Sequence, residues 1–354
     1  MINDALPYQS LHGHTVLSDG AMTHEEALDT CAKNNVGVVS ITDHDTLVKP
    51  EIFEAVKKLN HPVKFISGVE LSCDYVEEIP VNMSTFHIVG LFVDPTNEDL
   101  IKHCEETRRA RKRRLDKYLK NLKDLGFKVT GEQVLKYVGD GGAIGRPHIV
   151  KALQETPENE IVIDGMLEKL KEAAKTDATY EKQLNELLSK DKEYQKWAKW
   201  FALVMSGGTL FSAHVEYADV GFPEPYLNGI VKLIRNAGGL ALIAHWSYLH
   251  EKYPFNLEIV EKLMKENRID GMETVYSFGI EDEKRGSFAK DMEDLSRLCK
   301  KYSLVEGGGM DFHRPEDLER ALDPKFADFS MRTKNMTEMI LEKHPEIDKT
   351  WTTL

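Results

Sequence analysis

Nine side chains able to bind a divalent cation stand at or near the ends of short apolar runs: His12, His14, Asp19, His44, Glu70, His87, His245, Asp311 and His313. Cation sites need imidazoles and carboxylates gathered from separate elements on a rigid frame. Six imidazoles and three carboxylates suffice for three ions at about three protein ligands each, with water or substrate completing the shells. In His12-Gly13-His14 the i, i+2 spacing puts both rings on one face of a strand, and Asp19 in the following turn can swing back to a second ion. Asp311-Phe312-His313 repeats that spacing after Gly308-Gly309. Thr42-Asp43-His44-Asp45 adds an imidazole flanked by carboxylates able to orient its other nitrogen. Glu70 sits inside the apolar run Gly68-Val69-Glu70-Leu71, where a carboxylate is costly unless paired or metal-bound. His245 closes a run of Leu240, Ala241, Leu242, Ile243 and Ala244. His87 opens a run instead of closing one, and there a satisfied core histidine competes closely. Each motif alone has such an ordinary reading; their recurrence from run to run is what points to a metalloenzyme.

Something must carry these side chains. Runs rich in Val, Ile, Leu and Phe occupy 8–15, 36–42, 63–72, 86–93, 240–245, 271–277 and 303–313, which read as seven buried strands. Between several of them lie amphipathic helix patterns. Thr23 with Glu26 makes a capping box, Pro50 suits a first helical turn, and Gly238-Gly239 stops a helix over 226–237. Strand alternating with helix predicts an α/β fold with a mainly parallel sheet, open or closed into a barrel, and function at the carboxyl ends of strands. The rhythm breaks over 96–229, where helical patterns continue without comparable strands. A structureless connection of that length is rare, so this stretch reads as an inserted, mainly helical cap. The barrel is then discontinuous, 1–95 and 230–325, and 326–354 forms a polar C-terminal tail with a helix near 336–341. Trp197, Trp200 and Phe201 read as an aromatic patch docking the cap's helices.

The 354 residues carry 46 Lys and Arg against 59 Asp and Glu, a net charge of −13. Such a surface repels long polyanions, favouring small substrates over nucleic acid. No apolar run is long enough to span a membrane and the first residues lack a signal-peptide pattern, so a cytoplasmic location is expected. Cys31, Cys73, Cys104 and Cys299 are scattered and read as reduced core thiols.

In order and spacing, the H-x-H, T-D-H-D, G-x-E, A-H and D-x-H motifs resemble the PHP (polymerase and histidinol phosphatase) metal-dependent phosphoesterases, over about 8–95 and 230–320. The resemblance implies a distorted (β/α)7 barrel and a trinuclear centre of Mn, Fe or Zn. One ion would be held by His12, His14 and Asp311, with Glu70 bridging to a second that also takes His87 and His245; a third would use Asp19, His44 and His313. Two positions depart from the family pattern: Trp246 stands where proline usually follows A-H, and Met310 where serine usually precedes the D-x-H aspartate. Both are expected to alter the pocket wall.

Within the insertion, Gly145-Arg146-Pro147-His148 resembles the G-R-P-H element of the nucleotide-phosphatase-like members, which implies Arg146 and His148 on the substrate phosphate. A guanidinium forks onto phosphate oxygens and a histidine can donate to growing charge; the competing reading is a loop-capping arginine. Arg108, Arg109, Arg111, Lys112, Arg113 and Arg114 lie around a helix, and a nucleic-acid track is the lesser reading of them. The chemistry implied is hydrolysis of a phosphate ester by a metal-bridging hydroxide, with His148, or a water oriented by Asp45, protonating the leaving group. Expected substrates are a nucleoside mono- or bisphosphate, a cyclic sugar phosphate or histidinol phosphate. The rivals are a nuclease working from the 5′ end of short RNA or DNA and a non-catalytic metal-binding module. Glu273 and Tyr276 could line the pocket or sit behind the ligands.

Overall fold

The computed structural model describes residues 6–83, 86–188, 196, 198–207, 209–276 and 285–354. Trp197 and Ser277 fall outside them. The chain forms two compact units, Met1–Thr107 with Pro223–Leu354, and Arg108–Phe222.

The first unit is built on a seven-stranded sheet: β1 (Tyr8–Ser10), β2 (Val36–Ile41), β3 (Lys64–Ser72), β4 (His87–Leu91), β5 (Leu240–Ile243), β6 (Gly271–Tyr276) and β7 (Val305–Gly309). Their order in space is their order in sequence. The ends of the sheet meet beyond β1 and β7, where Gly13 is bridged to Phe312 and the Leu11 N–H donates to Gly308 at 2.9 Å. The result is an α/β barrel, nearly closed.

The sheet is mixed. β4 runs antiparallel to both β3 and β5, while the other neighbours are parallel. That reversal brings the first residue of β4 to the end of the barrel where its neighbours finish. It explains how His87, which opens its run, reaches the same rim as ligands that close theirs.

Alternation along the strands sorts side chains into two layers. Val38, Ile66, Val89, Leu91, Leu242 and Val305 share one buried cluster inside the barrel, into which Met336, Ile340 and Ile347 also pack. Val69, Leu71, Ala241, Ile243 and Met272 pack outward against helices. Glu70 and Glu273 follow the inward row, so carboxylates top a barrel whose lower interior is apolar.

Local signals formed the expected elements. Glu26 N–H donates to Thr23 Oγ1 and Thr23 N–H to Glu26 Oε2 at the start of helix His24–Lys33. Pro50 opens Pro50–Lys58, and Leu227–Asn236 ends before Gly238 at φ 75°. Residues after 326 do more than a polar tail would: they form helices Ala327–Arg332 and Met336–Lys343, and the chain then pairs with β3 through Ile66 and Thr352.

The second unit is helical, around a core that includes Tyr118, Leu153, Ile163, Leu170, Trp200 and Val204. Trp200 is buried against Phe127. Half of the basic run is spent holding this unit together. Arg111 donates to the Ile144 carbonyl at 3.1 Å, Arg113 to Val220 at 2.7 Å, and Arg114 to Val215 at 2.7 Å while stacking on Tyr217 at 3.8 Å.

Candidate metal centre

All nine expected ligands lie in the first unit, and their donor atoms converge. Three sets have donors within 4.8 Å of one another: His12, His14 and Asp311; His14, Asp19, His44 and His313; and His44, Glu70 and His87. His245 joins the last set, with Nε2 at 3.0 Å from Glu70 Oε1 and 3.3 Å from His87 Nδ1. Glu70 is the hub. Its Oε1 lies 2.9 Å from His87 Nδ1, and its Oε2 lies 2.9 Å from His44 Nδ1, 3.3 Å from His14 Nε2 and 3.4 Å from His12 Nε2.

The backbone that delivers these groups differs from a plain strand. β1 ends at Ser10 and β7 at Gly309, so both i, i+2 pairs sit just past their strands, flanking the Gly13–Phe312 bridge. His14 N–H donates to the Phe312 carbonyl at 2.8 Å, locking one pair to the other. His245 (φ 33°) and Asp311 (φ 47°) occupy the left-handed region, a conformation that costs about 1–3 kcal/mol at a non-glycine residue and persists only where surroundings enforce it.

The donor set fits divalent cations. Among the described residues, Asp19 Oδ1, His44 Nδ1 and Glu70 Oε2 are buried without a well-directed hydrogen bond, although His44 Nδ1 and Glu70 Oε2 lie 2.9 Å apart. Buried polar atoms are normally satisfied, so unsatisfied lone pairs aimed at one another mark room for a shared cation. His12 Nε2 and His14 Nε2 face each other at 3.3 Å, and Asp311 Oδ1 lies 3.3 Å and 3.1 Å from them.

The electrostatics agree. Burial works against charge on His14, yet Asp311 and Glu70 hold its pKa up at about 10. Burial opposes ionisation of Glu70 and Asp19 too, but the imidazoles of His44 and His87, and of His313 and His44, pull the two carboxyls well below the usual range. His87 goes the other way, pushed down to about 4 by burial despite Glu70. Protons held among these groups are what a cation displaces on binding.

The carboxylates flanking His44 are engaged by hydroxyl and backbone donors. Asp43 accepts from Thr15 N–H at 2.7 Å, Thr15 Oγ1 at 2.6 Å and Ser18 Oγ at 2.6 Å, pinning the turn that carries Asp19. Asp45 is fully buried, with Oδ1 accepting from Ser72 N–H and Oδ2 from Ser72 Oγ, each at 2.9 Å. It fastens the end of β3 beside His87. Glu273 and Tyr276 do stand behind the ligands: Glu273 Oε1 is 2.6 Å from His12 Nδ1, and Tyr276 donates to Asp311 Oδ2 at 3.0 Å. Glu273 carries the signal that marks Glu70, a carboxylate within an apolar strand.

Trp246 and Met310 are both buried. Trp246 is buried in the outer apolar layer and stacks on His250 at 4.3 Å, and Met310 is packed with Met22, Phe312 and Leu318. In the second unit, Arg146 is the first residue of helix Arg146–Gln154, so it opens the helix itself; His148 is buried and its Nδ1 accepts from Gly145 N–H at 3.0 Å.

The comparisons with known proteins agree with this geometry. The PHP domain signature matches residues 10–175. A 5′-3′ exoribonuclease Rnm of Salmonella typhimurium is 32% identical over 149 residues, 41% of this chain and 47% of that protein, so the match spans about half of that relative's length. A 3′,5′-nucleoside bisphosphate phosphatase of Chromobacterium violaceum is 24% identical over 86% of this chain and 87% of its own. A crystal structure from Bifidobacterium adolescentis, described as that of a metal-dependent phosphoesterase, superposes with a TM-score of 0.62 at 23% identity, covering 88% of this chain and 89% of its own. The chain thus carries a PHP-domain match over those residues, on a fold similar to that of solved metal-dependent phosphoesterases. Among the described residues, no helix is long and apolar enough to cross a membrane.

Proposed function

We propose that this protein hydrolyses a phosphate ester of a small molecule, a nucleoside mono- or bisphosphate or a cyclic sugar phosphate, using up to three divalent ions of the Mn, Fe or Zn type. The observation that carries the reading is the convergence of nine ligand-type side chains, five of whose imidazoles lie within 3.4 Å of the Glu70 carboxylate. In this reading His12, His14 and Asp311 hold one ion, Glu70, His87 and His245 a second, and Asp19, His44 and His313 a third. Bound ions of this kind supply an activated water at neutral pH and Lewis-acid neutralisation of phosphoryl charge.

The chain's own groups supply the rest. Gly145 N–H donates to His148 Nδ1, which leaves the ring proton on Nε2 in the neutral form and suits His148 to donate to a phosphoryl or leaving-group oxygen. Arg146 suits the phosphate itself, through two parallel charged hydrogen bonds. The four cysteines are buried thiols, in keeping with a cytoplasmic protein.

The small-molecule preference is supported by the bisphosphate phosphatase relative, which aligns along most of both chains, and by the net charge of −13. A second reading, 5′-end processing of short RNA, is favoured by the exoribonuclease relative. The test is product release by manganese-loaded protein, read as inorganic phosphate, ring-opened monoester or free mononucleotide, from a nucleoside 3′,5′-bisphosphate, a cyclic sugar phosphate and a 5′-phosphorylated oligoribonucleotide across a salt series. Higher kcat/KM on a small substrate is expected. Faster oligonucleotide cleavage falling steeply with salt would favour the nuclease, and no release from any substrate by metal-loaded protein would end both readings.

A further inference from the structure

Glu273 touches two ligand residues that come from opposite sides of the barrel. Its carboxylate lies within β6 and is buried. Oε1 is 2.6 Å from His12 Nδ1, and Oε2 accepts the backbone N–H of His245 at 2.7 Å. His12 faces Glu70 and Asp311 with its other nitrogen, at 3.4 Å and 3.3 Å. His245 faces Glu70 at 3.0 Å from a left-handed backbone at φ 33°.

We infer that Glu273 is a positioning residue that readies two ligands of different ions at once, fixing the tautomer of His12 through one oxygen and the backbone of His245 through the other. The inference rests on the metal-centre reading. With Glu273 Oε1 as the acceptor in the 2.6 Å contact, the His12 proton on that side sits on Nδ1, and Nε2 of the neutral ring turns its lone pair toward Glu70 and Asp311. At His245 the second oxygen satisfies an N–H at a bend that the backbone does not adopt freely. Tyr276, by comparison, donates to Asp311 and sets its ring 5.6 Å from that of His245.

The substitution that separates this role from simple packing is Glu273→Gln, which keeps the shape and replaces one acceptor by a donor. If the amide oxygen serves His245, the NH2 group faces His12 Nδ1 and drives the ring proton to Nε2, the atom aimed at the ion. If the oxygen serves His12, the NH2 group opposes the His245 N–H. Either way one ligand is spoiled.

The experiment titrates metal-free wild type, Glu273→Gln and Tyr276→Phe with Co(II), reading bound metal per chain after gel filtration and the visible absorption spectrum. For Glu273→Gln we expect at least one fewer tightly held ion, about 10–100-fold weaker binding and an altered spectrum, with a native circular dichroism spectrum; Tyr276→Phe should lose less. Wild-type stoichiometry, affinity and spectrum in Glu273→Gln would overturn the inference while leaving the metal centre intact. A wild type that binds no metal would instead overturn the functional reading beneath it. Should Glu273→Gln fail to fold, nitrogen-15 NMR of zinc-loaded wild type reads the His12 tautomer directly: protonated Nδ1 is expected, and a proton on Nε2 refutes the assignment.

Discussion

Gly13 is paired with Phe312, and the chain neighbours of these two residues are His12, His14, Asp311 and His313. One bridge between the segments that follow β1 and β7 therefore sets the spacing of four ligand-type side chains. A side chain at position 13 would overlap the Phe312 ring, so the approach depends on glycine.

Gly13→Ala should accordingly cost about 1–3 kcal/mol of stability, the usual range for overpacking a filled site. The metal content should fall with it. Thermal unfolding of the metal-free protein and metal analysis check both, and a wild-type result in each would mean that the barrel seam absorbs a methyl group freely.

His14 belongs to two of the three donor sets, with Asp311 in one of them. His14→Ala or Asp311→Ala should therefore remove bound metal and lower turnover on the order of 10²–10³-fold or more. Normal metal content together with normal turnover in either variant would take that residue out of the centre.

Arg146→Ala should behave differently. Loss of a charged, forked contact weakens phosphate capture by about 10- to 100-fold in kcat/KM, while bound metal per chain stays at the wild-type value. If metal is lost together with activity, the arginine serves the fold and not the phosphate.

Because the cluster leaves buried lone pairs without well-directed hydrogen bonds, filling it should stabilise the chain. Stripping the protein with a chelator should abolish activity and lower the melting temperature, and Mn, Fe or Zn should restore both. At a free metal concentration of 100 times Kd the gain is about 2.7 kcal/mol. An unchanged melting temperature on addition of each metal would contradict the site.

Much of the barrel is legible in sequence because its strands are short, apolar and β-branched, and because costly groups such as Glu70 stand out against them. Strand ends are less legible. His12 and His14 lie beyond β1, and the i, i+2 logic that groups them survives only because the chain stays extended through the Gly13 bridge. The partners of Asp43 and Asp45 were hidden for a different reason. Residues adjacent in sequence point different ways, and Asp45 stands in a turn with left-handed backbone at φ 45°, so these two carboxylates reach Thr15, Ser18 and Ser72. Nor does periodicity reveal which apolar side chains turn outward, which is why Trp246 and Met310 lie in the packed layers.

The backward course of β4 has a consequence for how this protein can vary. His87 enters the centre directly from the connection over 73–86, and Ser72, its partner across the ladder, leaves β3 into that same connection. A slip of one residue there would turn His87 out of the interior and bring a hydrophobic neighbour in. Insertions and deletions between Cys73 and Met83, where many side chains are buried, should thus be far less tolerated than in exposed loops, and a library of length variants would show inactivity concentrated there.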